Sequence, residues 1–115
     1  MKKDDSVYLK HILDAISLID EYVHGVSLEQ FEQTNLIQDG VIIELEIIGE
    51  MLQENLSNDL CQSHPETPWK QIIGLRNRVI HAYFEIDLLA VWEIVIEDLP
   101  TLKEQVEQIL EELRS

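Results

Sequence analysis

The chain is 115 residues long and carries 23 acidic against 8 basic residues, a formal net charge of −15. That length fits a single domain with one core, and 45% hydrophobic with 27% charged residues is ordinary globular composition. Four Gly and three Pro argue against a loop-rich or all-β chain; the acid excess repels nucleic acid unless a local patch reverses its sign; and no apolar run approaches the ~20 residues that span a membrane.

The start, MKKDDSVYLK, holds Lys2 and Lys3 but no apolar h-region, so no signal peptide is expected. An amphipathic helix follows. Val7, Ile12, Leu13, Ile16, Ile19 and Val23 recur at three- and four-residue steps. Asp4, Asp5 or Ser6 can cap its start, and Gly25 ends it. SLEQF is a short helical turn opened by Ser27, with Glu29 and Gln30 in its first turn.

The second long helix covers TNLIQDGVIIELEIIGEMLQENLS, on a stripe of Ile37, Val41, Leu45, Ile48 and Leu52. Its β-branched run, VIIELEII, resembles a strand locally. The three-to-four spacing and the helical flanks decide for helix. Ile42, Ile43 and Ile47 lie off the stripe, an apolar surplus that suggests a neighbour on each side.

Residues 57–68, SNDLCQSHPETP, read as a polar loop closed by Pro65 and Pro68. The only cysteine, Cys61, has no partner for an internal disulfide, which fits a reducing compartment, the cytoplasm. Cys61 and His64 make half of a zinc site without a second half, and Glu21 with His24 make one Glu-x2-His where a di-iron bundle needs two. No metal or cofactor is expected. His11 reads as a surface residue.

The third long helix is WKQIIGLRNRVIHAYF, with Thr67 as a candidate cap and Pro68 suited to its first position. At about 100° per residue, Trp69, Ile72, Ile73, Val79, Ile80 and Tyr83 share one stripe, with Arg76 in its middle. A second row holds Lys70, Gly74, Asn77 and His81, and Gly74 keeps that row low. From Pro68 to Phe84 there is no Asp or Glu, but there are Lys70, Arg76 and Arg78: a basic island in an acidic chain. Arg76 can be a structural ion-pair member, with Glu44 on the second helix or Glu50 as its partner. His81 can be a helix-terminal histidine favoured by the helix dipole. Arg76 and His81 stand roughly 140° apart on an ideal helix, so one face does not easily present both.

EID ends that helix, with Asp87 the next cap, and LLAVWEIVIEDLPTLKEQVEQILEELRS forms the last. Pro100 inside it predicts a kink or short break. Trp69 and Trp92 fit packing better than base stacking. The expected fold is all-α, an up-and-down bundle of four main helices plus a short helical turn, in one domain over residues 1–115.

The order Arg76, four residues, His81, one residue, Tyr83, with Asn77 in the polar place after Arg76, resembles the signature of the HEPN superfamily in its HepT-like toxin branch. LEIIGE at 45–50, PWKQIIGLRN at 68–77, HAYFEID at 81–87 and VWEIVIEDLPTLKEQV at 91–106 resemble that branch in its usual order. Met51, following LEIIGE, departs from a position more often small there. The resemblance implies a homodimeric, metal-independent endoribonuclease, the toxin of a pair whose antitoxin is a minimal nucleotidyltransferase that attaches AMP to the motif's tyrosine, here Tyr83. It implies Arg76, Asn77 and His81 as catalytic residues. Lys70 and Arg78 fit charges that position RNA. The competing reading is a non-catalytic helical partner that binds and regulates the nucleotidyltransferase; the full Arg, Asn, His and Tyr set favours the first, and the negative charge favours the second.

Overall fold

The computed structural model describes residues 5–55, 58–65 and 67–114, and every element among them is helical. Helix α1 spans Asp5–Val23, α2 Leu28–Gln33, α3 Asn35–Asn55, α4 Asn58–Ser63 and α5 Trp69–Glu85. A final helical stretch comprises α6, Leu88–Glu93, a π turn, Ile94–Asp98, and α7, Leu99–Arg114. Helix α3 packs against both α1 and α5, and α7 packs against α1, with Gln105 of α7 also donating to Gln71 of α5 at 3.1 Å.

The local signals explain the boundaries. Gly25 adopts φ 70°, a left-handed conformation that costs glycine little, and the chain leaves α1 there. The candidate cap Asp4 lies outside the described residues. Ser27 and Gln30 form a capping box at α2: Ser27 Oγ accepts from the Gln30 N–H at 3.2 Å, and Gln30 Oε1 accepts from the Ser27 N–H at 3.0 Å. Gln38 closes the other end, its amide donating to the carbonyls of Phe31 at 2.8 Å and Glu32 at 3.0 Å.

The α3 stripe is the centre of the core. Val41, Leu45, Ile48 and Leu52 are all buried, and Ile37 packs against the core at its edge. Each fully buried aliphatic chain contributes about 1.5–3 kcal/mol. From α1, Ile12, Ile16 and Ile19 meet this stripe; from α7, Leu99, Leu102, Val106 and Ile109 complete the same cluster. Of the off-stripe residues, Ile47 packs partly against the core, whereas Ile43 is 55% exposed. Phe31 and Trp92 pack with ring centroids 5.2 Å apart, so Trp92 serves packing.

Three expectations are corrected. The polar segment 57–68 is not wholly a loop, because Asn58–Ser63 forms α4. Its following residue, His64, is buried and its Nδ1 meets Glu112 of α7, while Trp69 Nε1–H donates to the His64 carbonyl at 2.8 Å. Thr67 does not cap α5; the cap position falls to Pro68, which has no side-chain acceptor to offer. The α5 stripe is rotated from the expected one. Ile72, Leu75, Val79 and Ala82 are buried, Ile73 is on the outer edge, and Arg76 flanks the stripe instead of occupying its middle. Leu75 and Ala82 draw the buried face to their side, because aliphatic area is better buried than a guanidinium.

At Pro100 the helix does not break. The Leu99 N–H bonds the Ile94 carbonyl, five residues back, in the π turn just before the proline. The extra residue resets the register, and Pro100 falls in the first turn of α7, where its missing N–H matters least. Asp87 caps α6, its carboxylate accepting from the Ala90 N–H at 3.1 Å.

Candidate active site on the outer face of α5

All six proposed functional side chains lie on α5, so one rigid element sets their relative positions. Arg76 is half-buried at the edge of the core-facing stripe. Its Nε and Nη2 donate to Asn77 Oδ1 at 3.3 and 3.2 Å. Among the described residues no carboxylate pairs with Arg76, so neither Glu44 nor Glu50 acts as its ion-pair partner. A guanidinium held by a neutral amide keeps its charge and most of its five donors for another anion.

Asn77 and His81 are exposed and one helical turn apart. They line a shallow depression of about 260 Å³ together with Arg78, Ala90, Glu93 and Ile94. The depression lies between α5 and the α6–π segment. Arg76 is outside it, and Asn77 touches both: its carbonyl holds Arg76 and its side chain borders the depression. The angular separation of Arg76 and His81 expected from helix geometry therefore persists within one chain.

The outer cations differ in freedom. Arg78 Nη2 meets Asp98 of the π turn at 2.5 Å, which ties α5 to the last helix and offsets that charge. Lys70 is exposed near the start of α5. Gly74 stands between them on the outer row, and a Cβ built there would meet nothing within 4 Å.

Tyr83 belongs to the other flank. It lies on the same helical line as Arg76, seven residues on, and its ring packs against α3: a Cβ on Gly49 would lie 3.4 Å from Tyr83 Cε2. Burial pushes the Tyr83 phenol above its ordinary pKa, and the Glu46 and Glu50 carboxylates of α3 push it further. The phenol is a neutral donor at physiological pH.

Two features of this region were not legible beforehand. Glu93 joins the depression from α6, a helix whose position against α5 depends on the sharp corner at Ile86 (φ 52°). The His64–Glu112 pair links residues 48 apart in sequence. That pair engages the histidine of the Cys-x2-His motif, and burial, aided by Asp5, pushes the Cys61 thiol up, away from the thiolate that binds zinc. Among the described residues no three His, Cys, Asp or Glu side chains stand close enough to hold a metal ion, and no helix is long and apolar enough to cross a membrane.

A protein-family model described as ribonuclease HepT-like matches residues 12–109. A protein of Methanocaldococcus jannaschii named "Gamma-glutamylcyclotransferase and putative RNase" is 41% identical over 113 residues, covering 98% of this chain; the chain spans 50% of that relative's length. A "Probable ribonuclease HepT" of Thermococcus cleftensis is 40% identical over 109 residues, 95% of this chain and 98% of the relative. A "Putative RNase" of Methanocaldococcus jannaschii is 39% identical over 106 residues, 92% of this chain and 96% of the relative. No solved structure matches the chain. With the Arg76–Asn77–His81–Tyr83 arrangement on one helix and a family match over most of its length, this chain belongs to the HepT-like ribonucleases of the HEPN superfamily.

Proposed function

We propose that the chain is a metal-independent endoribonuclease that works as a homodimer, the toxin of a type VII-like HEPN/nucleotidyltransferase pair. The observation that carries this reading is Arg76 without a carboxylate partner among the described residues, joined through Asn77 to the depression beside His81. RNA supplies its own nucleophile, the 2′-OH next to the scissile phosphorus. His81 takes the 2′-OH proton as general base. The 2′ oxygen then attacks phosphorus, the bond to the 5′ oxygen breaks, and a proton is returned to that leaving oxygen. Arg76 stabilises the extra charge on the phosphate oxygens. Lys70 and Arg78 bias the approach of the backbone, Arg78 less strongly because of Asp98.

Within one chain Arg76 and His81 point to different sides of α5. A second copy, with α5 at or beside the two-fold axis, brings His81 of one protomer against Arg76 of the other. The open space over Gly74 and the exposed Ile73 on α5 support close approach of a second copy to this helix.

The antitoxin of this reading is a cognate minimal nucleotidyltransferase. The Tyr83 oxygen attacks the α-phosphorus of ATP, pyrophosphate leaves, and the attached AMP puts a phosphate on the line of Arg76. That adduct competes with RNA for the same charge. The raised phenol pKa means the partner must supply the base or cation that frees the oxygen.

The test is cleavage of a short single-stranded RNA by the purified chain, with and without EDTA. Full activity in EDTA, and its loss in His81→Ala and in Arg76→Ala, is expected. Loss with EDTA, or undiminished cleavage by His81→Ala, defeats the mechanism. Incubation with the nucleotidyltransferase and ATP should add AMP mass to the wild-type chain and not to Tyr83→Phe.

A further inference from the structure

We propose that the depression beside His81 is a base-reading subsite selective for guanine, with Glu93 as its specificity-determining residue. This rests on the ribonuclease reading above. At about 260 Å³ the depression falls below the roughly 300–1,000 Å³ of pockets for drug-sized ligands. It suits one flat ring system and not a longer ligand. Ala90 and Ile94 provide an apolar floor, and the small Ala90 side chain leaves room above it. Asn77 and Glu93 stand on its edges, and His81 opens onto it. A nucleotide whose 2′-OH reaches His81 therefore has its base beside this floor.

The polar edges carry the selectivity. An ionised carboxylate only accepts hydrogen bonds. Glu93 is exposed and has no hydrogen-bond or ion-pair partner among the described residues. Its obvious cationic neighbour, Arg78, is held by Asp98 instead. Asn77 spends its carbonyl on Arg76, which leaves its amide N–H groups as donors. The depression thus offers a double acceptor from α6 and a donor from α5. Guanine is the one common base whose Watson–Crick edge presents two adjacent donors, N1–H and N2–H, followed by an acceptor, O6. Adenine and cytosine each offer one amino donor beside a ring acceptor, and uracil offers one N–H between two acceptors. Adenine, cytosine and uracil each bring a lone pair toward the Glu93 carboxylate, which is repulsive. A site built for a hydrogen-bonding edge rejects bases lacking it more strongly than an apolar slot does.

The experiment uses oligouridines carrying a single guanine, inosine or adenine, cleaved by the wild-type dimer and by Glu93→Gln. Cleavage beside guanine is expected to be roughly tenfold or more faster than beside adenine, with inosine, which lacks the N2 amino group, in between. The readout for Glu93→Gln is the ratio of the guanine to the adenine rate, which should fall to within about threefold of unity. Cleavage without base preference, or a preference unchanged in Glu93→Gln, overturns the subsite and leaves the ribonuclease reading standing. If the wild type cleaves none of these RNAs, binding of the same oligomers to His81→Ala decides. A guanine preference that Glu93→Gln removes supports the subsite, and equal binding overturns it.

Discussion

The two flanks of α5 present opposite chemistry. The flank along α3 is packed: Arg76 and Tyr83 lie on one line, Tyr83 presses on α3 at Gly49, and burial, then the Glu46 and Glu50 carboxylates, push its phenol above the ordinary range. The flank along α6 is open: Asn77 and His81 are exposed over a depression whose far edge carries Glu93, a carboxylate with no partner among the described residues. On the proposed reading, anion binding and modification belong to the first flank, and proton transfer and base recognition to the second, with Asn77 touching both. A helix places side chains about 100° apart per residue, so a five-residue spacing separates two groups instead of joining them. The proposed homodimer would join them, by bringing a second copy of the helix against the first.

The largest effect follows from that separation. Arg76→Ala and His81→Ala homodimers should each lose activity by roughly 10²–10⁴. Mixed after co-expression, they should regain it. An isologous interface gives the mixed dimer one site with both wild-type groups, so a random mixture should recover about a quarter of wild-type activity. The measurement is the cleavage rate of the mixture against each parent. A mixture as inactive as its parents would place Arg76 and His81 of one chain in one site, and the two-flank account would fail.

A smaller effect sharpens the same point. Gly74 lies on the outer row, and the Cβ that Gly74→Leu adds would meet nothing within 4 Å. The substitution should even stabilise the helix by up to about 1 kcal/mol, because glycine is a poor helix former. If this row lies at the two-fold axis as proposed, bulk there should nevertheless weaken the dimer and lower activity together. Sedimentation at several concentrations should show dissociation shifted at least tenfold, with unfolding temperature of the monomer unchanged or raised. A Gly74→Leu protein that stays dimeric and active would move the interface away from this row.

How much of this could be read without coordinates differed by element. The α3 core was legible because Val41, Leu45, Ile48 and Leu52 repeat at helical spacing and all four are buried. The capping box at Ser27 and the cap at Asp87 are local chemistry and were equally plain. The buried face of α5 was less so. A wheel treats Ile73 and Leu75 as equal candidates, and only the directions of α3 and α7 decide that Leu75 goes in. Composition alone made residues 57–68 a loop, whereas α4 and His64 are held in place by Trp69 and by Glu112 of α7. The candidate site residues share one helix, so their mutual spacing could be read from the sequence alone. Glu93 could not be placed that way, because its place beside His81 depends on a corner, at Ile86, that returns α6 along α5.

The smallest expected effect concerns the packed flank alone. Tyr83 is pushed above its ordinary pKa first by burial against α3 and then by Glu46 and Glu50. The folded chain therefore holds the phenolic proton more tightly than the unfolded chain, whose tyrosine titrates near about 10. Below that value both states are protonated, and the stability that Tyr83 contributes is fully present. As pH rises through the higher folded value, the unfolded state is favoured by its earlier loss of the proton, and that contribution disappears. Tyr83→Phe removes the titration while keeping the ring against Gly49. Urea midpoints at about pH 9 and about pH 11 should fall further for the wild type than for Tyr83→Phe. Tyr8 and Tyr22 remain in both proteins, so their shared effects cancel in the difference. Glu50→Gln in the wild-type background should shrink the gap by removing one of the two charges. Equal falls in wild type and Tyr83→Phe would mean that α3 does not hold this phenol, and the packed flank would lose its distinction from the open one.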